Sequence, residues 1–131
     1  FQREEIEILR NERPNAVVAV HPECMPDVQQ IADFIGSTSQ MCRFAKNSDA
    51  KEMIIATEVG LLHRLKKENP EKTFLPAYSD AVCPNMKLNT LERLYLALKN
   101  EEYAVTVPVA VAKKAREALE KMFTLLSRQI L

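Results

Sequence analysis

The sequence predicts an α/β fold, a three-layer α/β/α sandwich with a short, mainly parallel sheet, and three observations lead there. Short continuous runs of apolar, largely β-branched residues alternate with stretches of helical periodicity, the pattern of a parallel sheet covered on both faces. The 131 residues suffice for one core and are short for two, so one domain over 1–131 is expected. A hydrophobic content of 47% and a charged content of 27%, with no Ser, Gly or Gln tract, belong to a chain that folds.

Residues 2–12 are polar with Ile6 and Leu9 at helical spacing, and Pro14-Asn15 ends that pattern before the buried-strand run Ala16–Val20. Pro26 and Asp27 start a second helix whose face carries Val28, Ile31, Ala32 and Ile35, with Gly36 as its stop. Ser37, Thr38 and Ser39 are natural caps for a third helix through about Lys46. Residues 52–57 read as a strand, 58–68 as a helix with Leu61, Leu62 and Leu65 inward, and 72–76 as a strand. A long connection then carries Cys83-Pro84-Asn85-Met86-Lys87. Asn89 or Thr90 caps a helix through Lys99, residues 103–107 form a short edge segment, and Pro108 opens a last helix.

Charge and cysteine usage narrow the function. Lys+Arg and Asp+Glu number 18 each, and no basic stretch offers a nucleic-acid or anionic-membrane footprint. No apolar run approaches the roughly 20 residues of a membrane span, and no signal peptide opens the chain, so a cytoplasmic protein is expected. Three cysteines fit no compact disulfide framework; metal binding or burial explains them better. The chain opens on Phe1, without an initiator Met, so an absent upstream segment is expected.

Sheets of this kind bind ligands at the carboxyl ends of their strands, where the segments with chemistry fall. His21 and Glu23, two apart beside Pro22, can share a pocket as proton-transfer groups; equally, they can be a hydrogen-bonded loop histidine and a solvated glutamate. Gly36-Ser37-Thr38 can seat a phosphate or carboxylate at a helix start, or be a plain cap. Thr57-Glu58 reads first as a strand end and a helix start. Cys83 precedes Pro84 in a loop, where a thiolate can meet iron, provided other ligands come from elsewhere. Cys24 near His21 suggests a thiol nucleophile, which would need a lowered pKa and an oxyanion site. Cys42 falls on an apolar helix face and His63 on a charged one, a core and a surface residue respectively.

Taken in order, HPEC at 21–24, GST at 36–38, ATEVG at 56–60 and VCPNMKLNTLERL at 82–94 resemble the C-terminal portion of the quinolinate synthases. The resemblance covers essentially all of this chain and less than half of the family's usual length. It implies an enzyme that condenses iminosuccinate, supplied by an aspartate-oxidising enzyme, with dihydroxyacetone phosphate, giving quinolinate for pyridine nucleotide biosynthesis. It further implies three pseudo-symmetric α/β/α domains, each giving one cysteine to a [4Fe–4S] cluster whose fourth iron binds substrate. On this reading Cys83 is one cluster ligand. His21, Pro22 and Glu23 contact the dicarboxylate substrate, with Glu23 and His21 catalytic. Thr38 and Ser37 bind a substrate anion, and Cys24 is no ligand. The other two cysteines and the rest of the pocket belong upstream of Phe1, so the 131 residues alone are expected to be inactive. A non-catalytic α/β domain holding a small anion at Ser37-Thr38 is the alternative.

Overall fold

The structure, a computed structural model, describes residues 1–127. They divide into two compact units, Phe1–Leu88 and the segment from Asn89 onward.

In the first unit, α1 (Arg3–Glu12) is followed by β1 (Val17–Val20), α2 (Pro26–Gln30), β2 (Phe34–Ile35), α3 (Thr38–Asn47), β3 (Glu52–Ala56), α4 (Gly60–Glu68), β4 (Thr73–Pro76) and the single turn α5 (Pro84–Lys87). All strand pairs are parallel, in the order β2-β1-β3-β4. Because side chains alternate across a strand, the sheet presents two apolar faces. Ala19, Met53, Ile55 and Phe74 meet Met41, Cys42 and Ala45 of α3 and Leu62 and Leu65 of α4. Val18, Val20, Ile54 and Ala56 meet Ile6 of α1 and Val28 of α2. These are the three expected layers. Runs such as MIIA need no polar alternation because both faces are covered.

The helix expected from Pro26 to Ile35 is cut short. The helix from Pro26 stops at Gln30, and Phe34-Ile35 is a strand, paired with Ala19 and Val20. Asp33 forces the change: its amide donates to the Val18 carbonyl at 2.9 Å and its Oδ2 accepts the Val18 amide at 2.8 Å. That tie commits the chain to the sheet, with Arg10 bridging Asp33 (2.8 Å) and the Ile31 carbonyl (2.9 Å). Ile31 and Ala32 still pack on the second core, whereas Ile35 is exposed, so its helical spacing was coincidental. The ammonium of Lys72, entering β4, is held by the Ala45 and Ser48 carbonyls at the end of α3, where a cation suits the exposed carbonyls.

In the second unit α6 (Leu91–Asn100) is capped by Thr90, whose side chain accepts the Arg93 amide at 3.2 Å, and α7 (Val109–Ser127) follows Pro108. Residues 103–107 form no strand, correcting the expected edge segment. No described helix is long and apolar enough to cross a membrane.

Candidate functional site

Four loops leave the carboxyl edge of the sheet: residues 21–25 after β1, 36–37 after β2, 57–59 after β3 and 77–83 after β4. Adjacent strands β1 and β3 connect onward in opposite directions, β1 to β2 and β3 to β4, and ligand crevices open at such a switch point. A cavity of about 750 Å³ opens there, lined by His21, Glu23, Cys24, Thr38, Glu58, Cys83 and Lys87, among others.

His21 continues β1, its amide donating to the Ala56 carbonyl at 3.1 Å. The Glu23 amide donates to His21 Nδ1 at 3.3 Å, so in neutral imidazole the proton resides on Nε2, which is left to donate to a ligand. The Glu23 carboxylate stands 3.8 Å from Nδ1, too far for a hydrogen bond, and is 90% exposed. It is therefore open to solvent and to a ligand in the cavity. Gln29 fixes this loop, its amide nitrogen donating to the Pro22 and Cys24 carbonyls at 2.9 and 2.7 Å. No sequence signal marked Gln29 for this task, because it acts across the turn from inside α2.

Thr38 lines the cavity at the first residue of α3. Ser37 is occupied otherwise. Its amide donates to Gln40 Oε1 at 2.8 Å and its Oγ accepts the Gln40 amide at 3.4 Å, a full capping box. Neither Ser37 nor the exposed Pro22 lines the cavity.

The cysteines separate cleanly. Cys42 is buried in the first core, and His63 is exposed, both as expected. Cys24 turns its thiol toward the Ala56 carbonyl, 3.6 Å away, and burial pushes that thiol above its ordinary value. A nucleophile needs the opposite shift. Cys83 is an unbridged, partly exposed thiol on the cavity wall. As the chemistry of an iron–sulfur cluster requires, it fits as the donor of one thiolate. No three His, Cys, Asp or Glu side chains converge as a metal set among the described residues.

Glu58 is far more engaged than its place at a strand end suggested. Its Oε1 is closed to solvent and sits 3.0 Å from the Lys87 ammonium, and Oε2 accepts the Gly60 amide at 2.7 Å. The Lys87 contact, helped by the Gly60 and Cys83 amides, holds this carboxyl below the usual carboxylate range against the opposing effect of burial.

The family described as Quinolinate synthetase A protein matches residues 1–124. The chain is similar to proteins named quinolinate synthase: that of Thermodesulfovibrio yellowstonii is 50% identical over 97% of this chain and 42% of its own length. That of Caldicellulosiruptor bescii is 46% identical over 93% of this chain and 40% of its own length. The Sulfurisphaera tokodaii protein is 43% identical over 97% of this chain and 43% of its own length. The chain thus spans about two fifths of the length of the curated relatives it matches.

Proposed function

This chain belongs to the quinolinate synthetase A family, and from that premise we propose that the protein it forms part of is a cytoplasmic quinolinate synthase. It joins iminosuccinate, received from an aspartate-oxidising enzyme, to dihydroxyacetone phosphate, releasing quinolinate, one phosphate and two waters on the way to NAD. The observation that carries this reading is the meeting of His21, Glu23, Thr38 and Cys83 at one cavity on the carboxyl edge of the sheet.

His21, with Nδ1 occupied by the Glu23 amide, offers Nε2–H to a substrate carboxylate. Glu23 has an exposed carboxylate two residues away, placed to remove and return protons in the dehydrations and the tautomerisation that make the ring aromatic. Pro22 stiffens the turn between them. Thr38 offers a hydroxyl beside first-turn amides that have no intrahelical partner, a seat for a substrate anion. Ser37 supports that seat through its capping box. Cys83 supplies one thiolate to a [4Fe–4S] cluster, the remaining ligands coming from outside this chain. When bound, such a cluster with an iron free of protein ligands acts on substrate as a Lewis acid.

The reading is tested by quinolinate formation from the two substrates with the anaerobically prepared full-length protein. Wild type forms quinolinate, and Glu23→Gln lowers kcat by about 10² or more, the weight of a positioned acid–base group. Absence of product from cluster-loaded wild type, or an unchanged kcat in Glu23→Gln, contradicts it.

A further inference from the structure

The Cys83 thiol is carried by a segment with little structure of its own. α5 has four residues, and its hydrogen bonds are long: the Lys87 amide to the Cys83 carbonyl at 3.2 Å and the Leu88 amide to the Asn85 carbonyl at 3.3 Å. One turn does not sustain itself in water, because nucleation costs more than one bond returns. Something else must hold Cys83 against the cavity.

Glu58 meets that need. It projects from the end of β3, a central strand of the sheet, and its side chain is 15% exposed. One oxygen lies 3.0 Å from the Lys87 ammonium and the other accepts the Gly60 amide at 2.7 Å. Gly60 is part of the arrangement, since a Cβ there would lie 2.6 Å from Glu58 Oε2 and displace it. A second tie runs alongside, from the Val59 amide to the Ala81 carbonyl at 2.9 Å. The carboxylate thus ties the end of β3 to the Lys87 end of the CPNMK segment, and the Val59–Ala81 hydrogen bond holds the chain two residues before Cys83.

We propose that Glu58 is a positioning residue which, with Lys87 as counter-ion and Gly60 making room, latches the Cys83 segment to the end of β3 and fixes where the thiol points. The latch itself stands on the geometry alone; its consequence for a cluster rests on the reading of Cys83 given above.

The test is local hydrogen exchange in the full-length protein prepared without iron, so that no cluster contributes. In Glu58→Gln and in Lys87→Gln the amides of Cys83 and of residues 85–88 exchange about tenfold faster, the loss of one charge-assisted contact, while those of β3 are unchanged. Lys87→Arg keeps the charge and retains the wild-type pattern. The double variant is no faster than either single one, because the two groups act as one unit. Lys87 is half exposed, so Lys87→Gln decides the matter should Glu58→Gln fail to fold. Unchanged exchange at Cys83 and 85–88 in Lys87→Gln overturns the latch. In the iron-loaded protein, Lys87→Gln releases iron to a chelator about tenfold faster than wild type. A full cluster in Cys83→Ala would overturn the ligand assignment and leave the exchange result standing, so the two failures are distinguishable.

Discussion

The two units of this chain are written in similar amphipathic patterns and end differently. In Phe1–Leu88 the apolar stripes of α1, α3 and α4 find a sheet, and Ile6, Val18, Ile54 and Leu65 are wholly buried. In α6 and α7 no described residue is buried; Leu91 is 83% exposed and Leu98 76%. Periodicity therefore tells which face of a helix is apolar, not what that face meets. The difference also bears on chemistry, because His21, Thr38, Glu58 and Cys83 all hang from the unit with the packed core. A site needs supports that do not move by an ångström.

Substitutions in each unit test that difference. Ile54→Ala, in the central strand, should lower stability by about 3 kcal/mol, the transfer and cavity cost of a fully buried aliphatic side chain, measured by denaturant unfolding. Asp33→Ala removes the partner of the Val18 amide and of Arg10, and should cost about 1–2 kcal/mol by leaving a strand amide unpaired. Leu98→Ala in α6 should fall within about 0.5 kcal/mol of wild type, as surface substitutions do. A loss at Leu98 equal to that at Ile54 would erase the contrast between the units.

Much of the fold was legible because the parallel sheet writes its strands as unbroken apolar runs. VVAV and EMIIA could be little else between helices. β2 was not legible: two residues carry no period, and the Asp33 side chain that sets its register acts through tertiary pairing. Residues 103–107 show the reverse failure, a β-branched run that formed no strand, since propensity alone does not decide pairing. At the site, His21, Glu23, Thr38 and Cys83 were visible as residue types in loops after strands, and the family resemblance gave them roles. The order β2-β1-β3-β4, which places the His21 and Glu58 loops side by side, was not visible. Neither were the tasks of Gln29 and Glu58, whose partners lie in other loops.

The proposed cluster ligand of this unit is Cys83, not its cavity neighbour Cys24. Iron and sulfide content of the anaerobically prepared full-length protein, compared between Cys83→Ala and Cys24→Ala, decides between the two thiols. Cys83→Ala should lose the cluster while Cys24→Ala keeps it. Full iron and sulfide in both variants would contradict it.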